Sequence, residues 1–571
     1  MIEKMTRNDF VLLSGLKDEF IERLASLGVM DITRSDKPVD ADSEELLASI
    51  EALRGEIKRI ELGSDSVLHS LQEELSALLA EKEELAHWGD YDRERLESLG
   101  LPVRFFRMAE KVYDPSWESE CLLQETDRAN GKVWFVVIGD CPMSAAPLPA
   151  PSRSLSEVQE TIRRKEAEID EYRKKLDALK SDIPELKERL EGLVRKLGMY
   201  LAGAGAEKVA DNSLLVFEGF APTAGKETLE KALDELDCLW FSSNATIEDN
   251  PPIKLKNNKF VEQFTPLTDM YGRPGYNEFD PTPYISVFFL LFFAMCMGDA
   301  GYGLLLLAGG FIMRKTDGMK KFASLVSILG AGTFVVGVLM HTFFGSDMLL
   351  WGWIPSWLKS LMITGNIAGF ESQMVLSIAI GIVHLCLAMV VKTVYATKNR
   401  GFLGSLGVWG WTVLIVGGVV ALTLSLLNVL PAAAFKWMLI VIGSVSALGI
   451  FLFNDISRNP LKNIGPGLWE TYNTVTGLLG DVLSYLRLYA LGLAGGMLGK
   501  AFNDIAFMVR GDGSFLLLWI PCILILIVGH ALNLAMCCLG AFVHPLRLNF
   551  LEFFKNSGYD GKGRPYKPLQ K

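Results

Sequence analysis

Histidine and cysteine are scarce, 6 and 8 in 571 residues. No two cysteines form a CxxC pair, which removes the usual sequence signal for a zinc site or a redox dithiol. Five of them (Cys296, Cys386, Cys522, Cys537, Cys538) fall inside apolar segments, and the set reads as small apolar fillers. No GxxxxGK(S/T) phosphate loop occurs, so the chain carries no such signal for handling ATP itself. No catalytic residue, metal or cofactor is expected. A third shortage is local: residues 1–280 hold 56 acidic and 36 basic side chains, whereas residues 281–571 hold 11 and 20. Carboxylates disappear where long apolar runs begin, as expected if unpaired charge in hydrocarbon is costly and cytoplasmic loops favour Lys and Arg. The opening MIEKMTRNDFVLLSG has only a short apolar run before Lys17, Asp18 and Glu19, unlike a secretory signal. The acidic half is therefore expected to stay in the cytoplasm, with no nucleic-acid partner, and the second half to lie in a lipid bilayer.

In the soluble half, Leu46, Ile50, Leu53, Ile57, Ile60, Val67, Leu71 and Leu78 fall on one a/d frame, interrupted at Ser64 and Glu74. A second frame runs Leu155, Val158, Ile162, Ile169, Tyr172, Leu176, Leu179, Ile183, Leu186, Leu190, Leu193 and Leu197, broken only by Lys165, with a bend expected at Pro184. Two coiled-coil arms, about 43–90 and 153–198, must run antiparallel if the stretch between them folds as a compact distal head over about 100–151. The head contains two strand-like runs, VRFFRMA from Val103 and VWFVVIGD from Val133; a proximal lobe from 1–42 and 205–250 would use VLLSG near Val11, MDITR near Met30 and SLLVFEGFAP from Ser213. The fold class is thus an α-helical polytopic membrane protein with an N-terminal cytoplasmic α+β domain, residues 1–280: an antiparallel coiled coil with a small α/β lobe at each end.

Apolar segments run approximately 284–313, 322–344, 374–396, 402–430, 436–453, 470–498 and 515–546. The basic stretches RKTDGMKK from Arg314, KNR from Lys398, SRNPLK from Ser457 and the tail from Lys555 should all be cytoplasmic. Seven simple crossings cannot achieve that. If the first run crosses twice, breaking at GDAGYG (Gly298 to Gly303), all four fall on one side, so eight transmembrane helices are predicted within 281–555, followed by a cytoplasmic basic tail, 556–571. Asp299 then sits at a turn, an ordinary place for aspartate. The tryptophan-rich stretch Met348 to Trp357 reads as an external interfacial segment.

The seventh helix is read as ETYNTVTGLLGDVLSYLRLYALGLAGGMLGK from Glu470, with Arg487 well inside it. An arginine there must be paired, hydrated or functional. At 100° per residue Asn473, Gly480 and Ser484 share its face within about 60°, and Asp481 lies about 120° away. The last helix carries His530, Asn533, His544 and Arg547, with Glu552 following. Two helices that each present a guanidinium suggest a hydrated pathway or an acidic partner. The alternative is internal pairing, Arg487 with Asp481 or Glu470 and Arg547 with Glu552. Glycines 492, 495, 496 and 499 make two overlapping GxxxG steps that allow close helix packing.

At SYLRLYALGLA (Ser484 to Ala494) and HPLRLNFLEF (His544 to Phe553), with PTPYISVFFLLFFAMCMGDAGYG from Pro281 and FEGFAP from Phe217, the sequence resembles the subunit a, or subunit I, family of V-type and archaeal-type rotary ATPases. The resemblance implies that Arg487 faces a rotor ring of small membrane hairpins bearing an essential carboxylate. It also implies that Arg547, His544 and Asn533 line or support a half-channel for H⁺ or Na⁺, with Ser484, Asp481, Glu470 and Glu552 as further members of the route. Asn473 stands where the family places its carboxylate nearest Arg487. The soluble domain would dock peripheral stalks, other subunits would handle ATP, and the chain would sit in a cell membrane with both termini cytoplasmic. A secondary ion transporter with a regulatory domain should show internal repeats with paired interrupted helices, and none is found. A coiled-coil membrane scaffold would leave Arg487 internally paired.

Overall fold

A computed structural model describes every residue except 35–39, 63–65, 91–97, 99, 118–120, 140, 142–145, 151–152, 212, 317–319, 368, 430, 454–463, 511–518 and 571. The expected basic stretch from Ser457 and part of that from Arg314 lie outside the described residues, as does the interruption at Ser64. The chain divides into two compact units: Met1–Leu13, Val29–Ile32 and Val216–Pro568 form one, and Ser14–Gly28, Thr33–Leu215 and Leu569–Lys571 the other.

In the second unit α1 (Lys17–Leu27) is followed by α2 (Ala41–Leu62) and α3 (Ser66–Ala86), and the returning chain forms α4 (Leu155–Leu179) and α5 (Ile183–Ala204). The pairing is nested: α3 packs on α4 and α2 on α5. Ile50, Leu53, Ile57 and Ile60 are buried on α2, in the expected frame. On α3, Val67 of the expected frame is exposed and Leu68 is buried in its place, while Leu71, in the expected frame, packs with Leu68 against Ile169, with Leu75 and Tyr172 partly buried around them. Lys165, the residue that interrupted the second frame, pairs with Glu74 at 2.9 Å. A 3-10 turn, Lys180–Asp182, ends α4, and Pro184 occupies the first turn of α5, where its missing donor costs nothing.

Between the arms, β3 (Val103–Ala109), β4 (Leu122–Ala129) and β5 (Lys132–Ile138) form an antiparallel sheet in the order β3-β5-β4, Val103 opposite Ile138. Strands β3 and β5 were legible; β4, LLQETDRA, is a polar edge strand that alternation does not reveal. Cys121 and Cys141 stand as a disulfide pair across this sheet's end rather than as fillers.

The first unit begins with β1 (Met5–Leu13) and β2 (Asp31–Ile32). With β7 (Leu214–Pro222), most of which lies in this unit, and β8 (Leu239–Asn244) they make a sheet of path β2-β7-β1-β8; β6 (Glu207–Val209) belongs to the second unit. Strand β8, absent from the sequence reading, pairs antiparallel with β1, Phe10 opposite Trp240. The C-terminal tail is laid along this unit: the Ile253 amide donates to the Arg564 carbonyl at 2.8 Å and the Lys567 amide to Asp31 at 2.9 Å.

Among the described residues six helical spans are long and apolar enough to cross a membrane, and Thr282–Met297 and Ala300–Met313 are two shorter apolar helices. We label the apolar helices α6 (Thr282–Met297), α7 (Ala300–Met313), α8 (Lys320–Leu339), α9 (Ser372–Arg400), α10 (Leu406–Leu426), α11 (Ala432–Ala447), α12 (Ile464–Ser484), α13 (Leu486–Arg510) and α14 (Trp519–Arg547). The break between α6 and α7 falls at GDAGYG: Gly298 takes a left-handed φ of 57°, and Asp299 caps α7. Helix α6 is central, packing on α8, α13 and α14, with Ile285, Phe289 and Phe292 fully buried. Helices α7 and α8 meet almost backbone to backbone: a Cβ on Gly303 would stand 2.4 Å from the Phe334 nitrogen, and one on Gly337 2.2 Å from the Ala300 nitrogen. Trp353 and Trp357 of the expected interfacial segment are exposed.

Candidate functional site around Arg487

The helix read as continuous from Glu470 is two helices. Ser484 ends α12, Leu486 begins α13, and Tyr485 between them takes i to i+3 bonds on both sides, its amide to Val482 and its carbonyl from Leu488. The cause lies outside the segment. The Tyr485 ring fills a slot on α9, where a Cβ on Gly381 would stand 2.3 Å from the tyrosine Cγ, and the hydroxyl meets His384 Nδ1 at 2.9 Å. Arg487 therefore lies in the first turn of a new helix, half-buried, with Nη1 buried and without a hydrogen-bond partner.

Among the described residues no ion pair joins Arg487 to Asp481 or Arg547 to Glu552. Asp481 instead accepts from Asn556 Nδ2 at 2.8 Å and lies 3.7 Å from Lys555 Nζ. Glu552 sits in a π-turn, Leu548–Phe553, that follows α14; it is 4% exposed, and its Oε2 has no hydrogen-bond partner. Its charged neighbours are Asp481, Arg487 and Arg547, and Ser484 lies near it. His544 stands beside Arg487 and Arg547, its Nδ1 buried and unpartnered. Ser484 also donates to the Gly480 carbonyl at 3.0 Å. The fold thus gathers Arg487, Arg547, His544, Glu552, Asp481 and Ser484 into one cluster. Glu470, Asn473 and Asp481 line a cavity of about 240 Å³ with Lys392, Lys555 and Asn556.

Asn533 does not join them. It is eleven residues before His544, about 16 Å along α14, and its Nδ2 donates to the Tyr302 hydroxyl at 2.8 Å and the Gly495 carbonyl at 2.9 Å. Tyr302 also meets His530 Nδ1 at 2.8 Å, His530 Nε2 meets Asn503 Oδ1 at 3.0 Å, and Asn503 donates to the Phe344 carbonyl at 2.7 Å. Asp299 secures the same corner, accepting from the amides of Gly301, Tyr302, Phe344 and Gly345. That four-donor role accounts for a buried carboxylate at a turn. A cavity of about 440 Å³, lined in part by Ser346, Asp347, Glu371, Gly496 and Lys500, adjoins this second polar region. Tyr302, Asn503, His384 and Tyr485 were all missed. A single polar side chain in an apolar helix was the one signal available for each, and depth along the axis is what separates the two regions.

The V-type ATPase 116kDa subunit family matches over residues 149–344 and 468–571, which include α6, α7, α13, α14 and the cluster around Arg487. The chain is 33% identical over 332 residues to an A-type ATP synthase subunit I of Pyrococcus abyssi, covering 56% of this chain and 48% of that one. It is 24% identical to a V-type ATP synthase subunit I of Borreliella burgdorferi, covering 100% of both. To an A-type ATP synthase subunit I of Methanocaldococcus jannaschii it is 29% identical, covering 74% of this chain and 64% of that one. The matches thus span about half and just under two thirds of the two archaeal relatives' own length. With six spans among the described residues long and apolar enough to cross a bilayer, the chain is a multi-pass membrane protein, and it belongs to the V-type ATPase 116kDa subunit family.

Proposed function

We propose that the chain is the non-catalytic membrane stator subunit of a rotary V/A-type ATPase or ATP synthase. It would form H⁺ or Na⁺ half-channels against a rotor ring of carboxylate-bearing hairpins, while other subunits handle ATP. The observation that carries this reading is Arg487: a half-buried guanidinium in an apolar bundle with no ion-pair partner among the described residues. A guanidinium whose Nη1 is left without a hydrogen-bond partner, with Glu552 a charged neighbour but in no ion pair with it, suits a carboxylate that arrives from outside. Beside arginine, a carboxylate's pKa falls by about 1–3 units, so an ion or proton it carries is released on arrival. The cavity lined by Glu470, Asn473 and Asp481 would be one half-channel, and the Asn533 region would support the other. Eight crossings, counting the two short helices, would place both termini and the nested helical arms in the cytoplasm, where the arms would act as an antiparallel coiled-coil strut docking peripheral stalks.

The test is ATP-driven ion uptake into membrane vesicles carrying Arg487→Gln, with subunit assembly and ATP hydrolysis followed in parallel. Uptake should vanish in an assembled complex. Normal uptake would reduce Arg487 to a packing residue and reopen the transporter and scaffold alternatives.

A further inference from the structure

Arg487 Nη1 has no hydrogen-bond partner, so the height and azimuth of the guanidinium depend chiefly on the backbone turn two residues before it. Tyr485, fully buried, makes that turn. Its ring is slotted over Gly381 and its hydroxyl is bonded to His384, itself fully buried. His384 is otherwise surrounded by aromatic rings: Phe288 at 4.2 Å, Phe292 at 5.1 Å and Phe553, stacked at 4.8 Å with the planes 9° apart. Phe553 is the residue after Glu552, on the π-turn that closes α14. One imidazole therefore touches the turn that carries Arg487 and the turn that carries Glu552.

We propose that His384 and Tyr485 are positioning residues for ion translocation: their hydrogen bond pins the α12–α13 break, and the Phe553 stack ties Glu552's turn to the same anchor, fixing the spacing of Arg487 and Glu552. In an apolar cage neither polar group has a better partner, so the tyrosine hydroxyl is confined to one place. The one proline of α12, Pro466, stands nineteen residues before Tyr485, and no proline or glycine lies within four residues of the break, so without this anchor the helix would run straight through and swing Arg487 about the axis. The inference rests on the rotor-facing reading of Arg487.

The experiment compares wild type, Tyr485→Phe, His384→Phe, the double variant and Arg487→Gln in the assembled complex. It measures ions taken up per ATP hydrolysed and the thermal stability of the detergent-solubilised complex. Each single variant orphans a buried polar group and should lose both stability and coupling, the ion-per-ATP ratio falling about fivefold. The double variant removes both polar groups and keeps the ring packing, so stability should recover. The proposal requires that coupling stay low in that double variant. A merely structural role predicts that coupling returns with stability, and that result would overturn it. If Arg487→Gln itself transports normally, the stator reading fails and this inference with it. If Arg487→Gln is inactive while the double variant couples normally, the positioning role alone is wrong.

Discussion

Helix α13 lies so close to α6 that a Cβ on Gly492 would stand 2.6 Å from the Met295 carbonyl oxygen, whereas at Gly496 the nearest atom, Thr342 Cγ2, is 3.8 Å away. Ordinary contact begins at 3.4 Å, so Gly492→Ala requires one backbone to retreat by about 0.8 Å, and a carbonyl in a helix cannot rotate aside. Overpacking of this kind costs about 1–3 kcal/mol, while alanine's better helix propensity returns up to about 1 kcal/mol. The net expectation is about 1–2 kcal/mol of destabilisation for Gly492→Ala and a change of zero to about 1 kcal/mol in the stabilising direction for Gly496→Ala. Titration of the purified full chain with SDS in mixed micelles reads both. Arg487 lies five residues earlier on the same helix, about 7.5 Å along the axis, so ion uptake per ATP should fall for Gly492→Ala and hold for Gly496→Ala. Equal stability of the two variants would refute the packing account, since by sequence spacing alone both glycines belong to GxxxG steps.

Two further outcomes follow from contacts away from Arg487. Tyr302→Phe removes the acceptor for Asn533 and the partner of His530; a double-mutant cycle with Asn533→Ala should give a coupling energy of about 0.6–1.7 kcal/mol, and no coupling would remove Asn533 from that network. Deleting residues 560–571 takes away the Arg564 carbonyl that accepts from the Ile253 amide at 2.8 Å. Hydrogen exchange at Ile253 should then accelerate about tenfold, and unchanged exchange would mean that the tail merely lies on the lobe.

What could be read in advance followed from chemistry local in sequence. Strands β3 and β5 declare themselves by apolar density, and the GDAGYG break by glycine and a capping aspartate. The misreadings share one cause, which is that the deciding group lies elsewhere in the chain. SYLRLYALGLA has no proline, and its one glycine, Gly492, lies seven residues past the break. The break at Tyr485 exists because α9 offers a slot at Gly381 and a single polar partner, His384, some hundred residues earlier. Similarly, Val67 was assigned inward by extending a frame through an interruption, yet it is 48% exposed while Leu68 is 3% exposed. Asn533 and Arg547 lie on one helix but fourteen residues apart, and depth along its axis assigns them to different neighbours.

That separation bears on mechanism. On α13 and α14 one polar region runs from Ser484 and Arg487 to His544 and Glu552, and the other from Asn503 to His530 and Asn533. Between them stand Leu488 and Ala541, both buried, with Leu491, Leu534, Cys537 and Cys538 partly buried around them. From Leu488 to Gly495 this apolar stretch covers about 10 Å of helix. An ion following this chain alone would have to cross that length without a polar partner, at a cost of several kcal/mol. A continuous polar line would leak, whereas two regions offset across an apolar gap pass ions only if a carrier bridges them. On the rotary reading a rotor carboxylate is that carrier, and Arg487 stands at the edge of the gap where the carrier would give up its charge neutrality.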